Sequence, residues 1–320
     1  MTGHSNIFNI IEVKELTKTF DGITAVDNIS FAVQPGELFG FLGPNGAGKT
    51  TTVRMLTGVL EPTEGTAAIQ GHDICSQALL SRAHIAVVPE EANVYLDFSV
   101  WQNIMLMAQL YDIPHNQRTR KAVELLDLLG LSDRRKQKAR ALSKGLRQRL
   151  MLCAALVTEP EILFLDEPTS GLDVKSKQII NQTIRQLNGK GLTIFLTTHN
   201  MEEAEKLCSR VAIINKGKIA AIDTPEKLRS AIRSQQFVEV SFSGEMLLIE
   251  EVKSLSGVSS VDLTGNIIRA YTETPGQTAT DIAYLAQSRK IEIEQLCTKK
   301  PSLEDVFLYL TDQDKKEAAQ

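Results

Sequence analysis

The sequence predicts an α/β domain built around a phosphate-binding loop, with an inserted helical subdomain and a small α+β domain after it. Three observations predict this fold. An apolar strand runs directly into a glycine-rich loop and a helix, and a second apolar strand ends in two carboxylates, Asp166 and Glu167. The end of the chain alternates between strand and helix patterns in the order β-α-β-β-α-β, which is typical of a ferredoxin-like unit.

Composition limits the functions open to the chain. Its 320 residues have room for two domains, and its formal net charge of −4 argues against nucleic-acid binding. The four cysteines form no Cys-x-x-Cys pair, so neither a disulfide framework nor a zinc site is expected. No apolar run approaches the ~18 residues that span a bilayer, and the first residues lack a signal-peptide pattern. We therefore expect that the chain does not cross the membrane by itself.

The phosphate loop follows the strand at residues 37–42 and fits the pattern G-x-x-x-x-G-K-[ST]. Its glycines let successive backbone N–H groups approach phosphate oxygens. Lys49 can reach the β- and γ-phosphates, Thr50 can offer Mg²⁺ a hydroxyl, and the following helix adds a favourable dipole. The segment predicts binding of a nucleoside triphosphate with Mg²⁺. Its predicted nucleotide contacts are Gly43, Pro44, Asn45, Gly46, Ala47, Gly48, Lys49, Thr50 and Thr51.

The second apolar strand, at residues 161–165, predicts the part of the site that handles metal and water. Asp166 is placed to hold Mg²⁺ directly or through a water, and Glu167 can polarise the attacking water. Two adjacent carboxylates repel each other at a buried strand end, and a divalent cation relieves that repulsion.

The run LSKGLRQR at residues 142–149 stands between these motifs. Ser143 can cap the helix that begins there and present its hydroxyl and free N–H groups to an anion. The run resembles the signature motif of ABC-type ATPases, L-S-G-G-Q-x-Q-R, and departs from it at Lys144 and Leu146. The resemblance extends over residues 8–222. It implies an ATP-hydrolysing domain that closes head to tail with a second one, so that each phosphate loop meets Ser143 and Gly145 of the other subunit.

Further site residues follow from the same resemblance. Phe20 is expected to stack on adenine, Asp173 to lie in the loop that crosses the dimer interface, and His199 to touch the γ-phosphate. Glu167, His199 and Lys49 then form the catalytic set. Most relatives carry Gln where Glu90 follows the strand at residues 85–89. Glu90 is therefore expected to offer Mg²⁺ an oxygen beside Thr50 and Asp166, with Glu91 as a rival for that role.

The stretch at about 97–157 is expected to form the helical subdomain. Ser99 and Gln102 form a capping-box pattern, and a second helix is expected from near Pro114 to before Gly130. In the family, the groove at this subdomain accepts a short helix of the membrane subunit. The aromatic residues at the junction are either contacts to that partner or pins that hold the segment to the subdomain: Tyr95, Phe98 and Trp101. The basic run at 134–140 favours a solvated surface loop.

The catalytic pattern ends at residue 222, and a capped linker helix is expected at 223–234. The accessory α+β domain at 235–311 is predicted as a strand at 237–242, a helix at 246–255, a hairpin at 259–272, a helix at 278–287, a strand at 291–296 and a last helix after Pro301. Residues 312–320 are expected to form a flexible tail. This ending resembles the C-terminal extension of exporter ATPases whose membrane subunits are separate chains.

The resemblance implies an α/β ABC-type ATPase subunit of an exporter, which uses ATP and Mg²⁺ at the cytoplasmic face of the cell membrane and contacts the membrane through a partner only. The resemblance implies two partners, a separate transmembrane permease subunit and a second ATPase subunit, with a homodimer favoured. The alternative is a soluble ABC ATPase that acts on ribosomes or DNA. Such proteins usually carry two ATPase units, a long coiled coil or zinc-binding inserts, and the sequence shows none of these.

Overall fold

Two compact units make up the molecule. The computed structural model describes residues 8–231, 236–243, 249–299 and 301–317. Contacts divide the chain into Met1–Asp223 and Thr224–Gln320, next to the predicted domain end at residue 222. The predicted start of the accessory domain, at residue 235, lies outside the described residues.

The first unit contains both sheets of the predicted α/β domain. Its strands are β1 (Ile11–Phe20), β2 (Ile23–Val33), β3 (Leu38–Leu42), β4 (Glu64–Ile69), β5 (His72–Asp73), β6 (Ile85–Val88), β7 (Ile162–Asp166), β8 (Thr193–Thr198), β9 (Arg210–Asn215) and β10 (Lys218–Asp223). Its α-helices are α1 (Lys49–Leu56), α2 (Ala78–Ala83), α3 (Val100–Leu110), α4 (His115–Leu128), α5 (Lys144–Leu156), α6 (Val174–Asn188) and α7 (Met201–Leu207).

The strand order explains where the motifs meet. A four-stranded antiparallel sheet has the order β2-β1-β4-β5, and a six-stranded sheet has the order β10-β9-β3-β8-β7-β6. In the larger sheet, strands β9, β3, β8, β7 and β6 are parallel, and β10 is an antiparallel edge. Strands β3, β8 and β7 are buried along their whole length, as continuous apolar strands of parallel sheets are. Because these three strands are adjacent, their carboxyl ends meet at one edge of the sheet.

An aromatic cluster joins the two sheets of the first unit. Phe31 of β2 stacks on Phe39 of β3 with 5.6 Å between ring centroids. Phe195 of β8 lies at the centre of the cluster and contacts the rings of the other four members. Burial of these rings fixes the sheet that carries the site. The members are Phe31, Phe39, Phe41, Phe164 and Phe195.

The helical subdomain follows the local sequence signals closely. Ser99 accepts a hydrogen bond from the amide of Gln102, whose side chain accepts one from the amide of Ser99, so the predicted capping box is confirmed. Helix α4 begins after Pro114 and ends before Gly130, as predicted. Helix α5 has the predicted N-cap, since the Ser143 hydroxyl accepts from the amide of Leu146 at 3.4 Å.

The second unit has the predicted ferredoxin-like topology. Its elements are α8 (Pro225–Ala231), β11 (Phe237–Phe242), α9 (Ile249–Lys253), β12 (Val258–Thr264), β13 (Ile267–Thr272), α10 (Pro275–Arg289), β14 (Ile293–Lys299) and α11 (Leu303–Glu317). The sheet order is β12-β13-β11-β14, with all neighbours antiparallel. Val240 and Ile268 of the sheet pack with Val252 of α9 and Ile282 of α10, so both helices cover one face of the sheet.

Some predicted bounds in this unit differ from the observed ones. The predicted helix at 246–255 is observed at Ile249–Lys253, and residues 244–248 lie outside the described residues. Helix α10 begins earlier than predicted, because Pro275 occupies its first turn. Helix α11 continues to Glu317, past residue 311 where a flexible tail was expected. In the described part of the chain, no helix is both long and apolar enough to cross a bilayer.

Candidate active site

The phosphate loop connects β3 to α1 and closes around one lysine. Gly48 has φ +106°, and a Cβ there would lie 2.6 Å from the carbonyl oxygen of Ala25, so only glycine fits. Lys49 is 6% exposed, and its ammonium donates to the carbonyl oxygens of Gly43 at 2.7 Å and Pro44 at 3.0 Å. The loop therefore holds a buried positive charge on its concave side.

Asp166 lies at the carboxyl end of β7 and is held by hydroxyl groups. The Thr197 hydroxyl at the end of the neighbouring strand β8 donates to Asp166 Oδ1 at 2.6 Å. The Thr50 hydroxyl at the start of α1 donates to the same oxygen at 3.4 Å. Asp166 is 6% exposed, and no cation pairs with it in the described part of the chain. The predicted metal residues Thr50 and Asp166 are thus brought together.

Glu167 lies between Lys49 and His199 and has a constrained backbone conformation. Its φ is +49°, and its amide donates to both the carbonyl oxygen and the hydroxyl of Thr197, each at 3.1 Å. Its carboxylate oxygen Oε1 lies 3.2 Å from Lys49 Nζ, and Oε2 lies 2.8 Å from His199 Nδ1. The three predicted catalytic residues therefore form one connected group, with Glu167 in the middle.

His199 follows β8 and is the exposed member of the group. Its side chain is 51% exposed, whereas that of Glu167 is 8% exposed. Because a carboxylate accepts the hydrogen bond, Nδ1 donates and Nε2 faces away from Glu167. Nε2 has no hydrogen-bond partner among the described residues and is available to a ligand.

Residues of the signature segment form a second group. A Cβ on Gly145 would lie 2.3 Å from Ser176 Oγ and 3.4 Å from Asp173 Oδ2, so glycine is required where α5 meets α6. Asp173 caps α6, and hydrogen bonds from the amide and hydroxyl of Ser176 lower the pKa of its carboxyl. Ser143 is exposed at the start of α5. In the described residues, no hydrogen bond or ion pair links Ser143, Gly145 or Asp173 to Lys49, Glu167 or His199.

Two predicted residues lie outside both groups. Phe20 is 44% exposed at the end of β1, with the Lys18 ammonium 5.2 Å from its ring centroid. Glu90 is exposed and, in the part of the chain that the structure describes, has no hydrogen bond to Thr50 or Asp166. Its role as a metal ligand stays a prediction, and Glu91 is exposed as well.

Two buried threonines were not singled out from the sequence. Thr197 is fully buried and joins Asp166 to Glu167, and Thr198 is 1% exposed. The only sequence signal was their position as the last two residues of an apolar strand directly before His199. Another unassigned contact joins α5 to the predicted metal-binding segment, since Gln148 Nε2 donates to the carbonyl oxygen of Pro89 at 3.1 Å.

Comparisons with known proteins agree with this geometry. A family model described as ABC transporter matches residues 26–170, and one described as ATP-binding protein DrrA1-3-like, C-terminal domain, matches residues 224–311. The linearmycin resistance ATP-binding protein LnrL of Bacillus subtilis (strain 168) is 34% identical over 309 residues, which cover 94% of this chain and 98% of that protein. The chain belongs to the ATP-binding subunits of ABC transporters.

Other ABC ATP-binding subunits match over similar lengths. The daunorubicin resistance ATP-binding protein DrrA3 of Streptomyces coeruleorubidus is 34% identical over 97% of this chain and 98% of that protein. The Nod factor export ATP-binding protein I of Burkholderia pseudomallei (strain 1710b) is 34% identical over 95% of this chain and 97% of that protein.

Solved structures confirm the predicted fold of the ABC ATPase unit. An ATP-binding subunit of an ABC transporter has a TM-score of 0.65 and 28% identity, covering 69% of this chain and 92% of that one. A dimeric ATP-binding cassette in a post-hydrolysis state with ADP and Pi has a TM-score of 0.61 and 26% identity, covering 67% of this chain and 98% of that one. The prediction of an ATP-hydrolysing ABC subunit is thereby confirmed.

Proposed function

We propose that this ABC subunit hydrolyses MgATP to power export through a separate membrane subunit at the cytoplasmic face of the cell membrane. The observation that carries the proposal is the connected group of Lys49, Glu167 and His199 at the carboxyl ends of β3, β7 and β8. In open α/β sheets this edge is where ligands bind. The named relatives, which serve linearmycin resistance, daunorubicin resistance and Nod factor export, support the direction of transport.

Each member of the group has a distinct role in the proposed reaction. Lys49 binds the phosphates as a buried cation. Its ammonium now contacts the neutral carbonyl oxygens of Gly43 and Pro44, and charged phosphate oxygens would bind it more strongly. Glu167 accepts a proton from the attacking water, and its buried carboxylate is held in place by Lys49 beside Oε1 and His199 Nδ1 beside Oε2. His199 keeps Glu167 oriented through Nδ1, and when the imidazole is protonated on both nitrogens its Nε2–H can donate to a γ-phosphate oxygen.

The oxygen donors beside the phosphate loop fit Mg²⁺. The Thr50 hydroxyl and the Asp166 carboxylate lie within hydrogen-bond distance of each other, and Mg²⁺ is typically held by one or two such oxygens together with substrate phosphates. We assign these two residues to the metal. When bound, the ion would neutralise phosphate charge as the bond to the γ-phosphate breaks.

The second group supports a site completed by another ATPase subunit. The N-terminus of α5 is exposed, with Ser143 and the helix dipole directed outward, and such termini bind anions. Its separation from Lys49 within one chain is expected if each nucleotide lies between two copies. The solved neighbour that is dimeric and bound to ADP and Pi supports the pairing of two such units.

The contact to the membrane subunit is assigned to the aromatic junction before α3. Tyr95 and Phe98 are 54% and 39% exposed and stack with 5.4 Å between centroids. Asn103 holds the backbone of Tyr95 through two hydrogen bonds, which keeps the exposed rings in place. Arg135 of the basic run stacks on the Trp101 ring at 3.4 Å.

The central experiment measures hydrolysis and dimer formation in Glu167→Gln. We expect MgATP binding to persist while phosphate release slows by roughly 10²-fold or more, the scale of lost general-base action. ATP should then trap a dimer on a sizing column. The matched control is Glu124→Gln on the exposed surface of α4, which should hydrolyse ATP like the parent. Hydrolysis at the parent rate in Glu167→Gln would remove Glu167 as the base.

The membrane contact has its own test. The tagged chain should co-purify from membranes with the membrane subunit, and Phe98→Lys should lose that partner while keeping ATP affinity. Tyr284→Lys serves as the control, because Tyr284 is 67% exposed in the other unit. If Phe98→Lys still co-purifies with the membrane subunit, the contact lies elsewhere on the chain.

A further inference from the structure

A buried carboxylate outside the proposed catalytic group joins the two segments that hold it. Glu203 lies in α7 and is 7% exposed. Its oxygen Oε2 accepts hydrogen bonds from the Thr169 hydroxyl at 2.8 Å and the Thr198 hydroxyl at 3.4 Å. Thr169 follows Glu167 by two residues, and Thr198 directly precedes His199. One carboxylate oxygen therefore connects the segment that carries the base to the segment that carries the histidine.

The orientation of Glu203 differs from what its position in the helix favours. Asn200 caps α7 by accepting from the amide of Glu203, which makes Glu203 the third helical residue. A glutamate there commonly turns back to the amide of the cap residue and closes a capping box. Here the amide of Asn200 donates instead to the Thr198 hydroxyl at 3.0 Å. The Glu203 carboxylate is thus released from helix capping and turned toward Thr169.

The buried Glu203 carboxylate is not explained by a contribution to the stability of the fold. No lysine, arginine or histidine pairs with Glu203 within the described ranges, so hydroxyl groups are the partners of its carboxylate there. A buried carboxylate without a cation partner costs free energy, and a neutral side chain of the same shape would cost less. Burial, together with the charge of Glu203, raises the pKa of the neighbouring Cys208 thiol.

We propose that Glu203 is a positioning residue that holds the His199 segment against the Glu167 segment and so sets the contact between His199 Nδ1 and Glu167 Oε2. This inference rests on the proposed function, in which these two residues serve hydrolysis. Glu203 touches neither substrate nor metal in this role. It acts through Thr169 and Thr198.

The first measurement is the separation of kcat from KM in matched variants. Glu203→Met, which removes the acceptor oxygen at similar side-chain length, and Thr169→Val should each lower kcat about 10-fold or more, with KM for ATP changed less than about twofold, because misplacement of reacting groups acts on the chemical step. Thr169→Ser keeps the hydroxyl and should keep the parent kcat. The double variant Thr169→Val/Glu203→Met should be no slower than the slower single variant, since both changes break one contact. Parent kcat in both single variants would overturn the proposal.

The control is Glu202→Met, one residue earlier in the same helix. Glu202 is exposed and pairs with Lys206 at 2.5 Å, so its loss removes a surface ion pair but not the link. It should leave kcat unchanged. Loss of activity in Glu202→Met equal to that in Glu203→Met would overturn the specific role of Glu203.

The second measurement does not depend on hydrolysis. The imidazole NMR signal of His199, identified by its absence in His199→Gln, reports the contact with Glu167 directly. We expect this signal to shift in Thr169→Val and Glu203→Met and to stay in place in Thr169→Ser and Glu202→Met. Unchanged His199 signals in the first two variants overturn the proposal whatever the ATPase rates are. If the signal shifts in these variants but the parent protein does not hydrolyse ATP, the link is sustained and the proposed function is refuted instead.

Discussion

The hydroxyl of Thr197 should carry a measurable part of both stability and activity. It is fully buried, donates to Asp166 Oδ1 at 2.6 Å and accepts from the amide of Glu167 at 3.1 Å. The informative change is Thr197→Val, because valine has nearly the same shape and leaves no cavity. Its effect should therefore come from the lost hydroxyl alone.

The expected magnitude follows from the bonds that remain. The amide of Glu167 keeps its hydrogen bond to the carbonyl oxygen of Thr197 at 3.1 Å, so this amide still has a partner. Asp166 keeps only the 3.4 Å contact from Thr50. The loss is thus one hydrogen bond to a charged acceptor, and we expect the free energy of unfolding to fall by about 2 kcal/mol. For a unit of this size, that corresponds to a melting temperature lower by roughly 4–8 °C.

Calorimetry of the full chain is the assay. The transition to follow is the one that MgATP shifts upward, because a ligand stabilises the unit that binds it. Thr183→Val in α6 is the matched control, since its buried hydroxyl donates to the neutral carbonyl oxygen of Ile179. A bond between neutral groups contributes less, so that variant should lose about 1 kcal/mol at most.

A second replacement separates stability from chemistry. Thr197→Ser keeps the hydroxyl and removes a buried methyl group, which should destabilise the unit by about 1 kcal/mol. We expect it to hydrolyse ATP near the parent rate, whereas Thr197→Val should be slower by about 10-fold because Asp166 and Glu167 lose a shared support. If Thr197→Val matches the parent in both melting temperature and hydrolysis, the hydroxyl does not hold the acidic pair and the reasoning is refuted.

Three further predictions concern the split site, the accessory domain and Glu90. In the Glu167→Gln background, Ser143→Arg should leave ATP binding by the monomer intact and prevent ATP-dependent dimerisation. Nucleotide titration and sizing measure the two effects. Loss of monomer affinity with an intact dimer would contradict a shared site. Ending the chain before Gln235 should leave a folded unit that binds ATP, because every proposed nucleotide contact lies upstream, and absence of binding would show that the accessory domain completes the site. Glu90→Gln should bind metal-free ATP more tightly and Mg²⁺ in the presence of ATP more weakly, since one negative charge is removed. Titrations with and without Mg²⁺ decide the last case, and equal values for both proteins would exclude Glu90 from the site.

The sequence predicted the local parts of the fold well because their signals are local. The capping box of Ser99 and Gln102 and the cap of Ser143 each involve residues three apart, and both form as expected. The predicted hairpin at 259–272 also forms, as β12 and β13. Helix α11 runs to Glu317, into the polar segment for which a flexible tail was expected, because a polar segment lacks the apolar spacing that indicates a helix.

The sequence did not predict which residues far apart along the chain would contact each other. Lys49, Glu167 and His199 were each predicted as site residues, but nothing in their motifs showed that Glu167 would pair with both of the others. Thr197 reaches Asp166 across 31 residues, and Thr169 reaches Glu203 across 34. Such bonds depend on which strands become neighbours, and threonine at the end of an apolar strand is equally suited to packing.

The charges of the site have a further consequence for its response to metal. Asp166, Glu167 and Glu203 are all at least nine-tenths buried, and among the described residues Lys49 is the one equally buried cation that pairs with any of them, through Glu167. Asp166 and Glu203 are stabilised by hydroxyl dipoles, which support a negative charge without cancelling it. A site stabilised in this way retains negative potential at Asp166, and a divalent cation bound there relieves the repulsion between the acidic neighbours. The hydroxyl groups of Thr50 and Thr197 thus hold the Asp166 carboxylate in place, which supports its assignment to Mg²⁺.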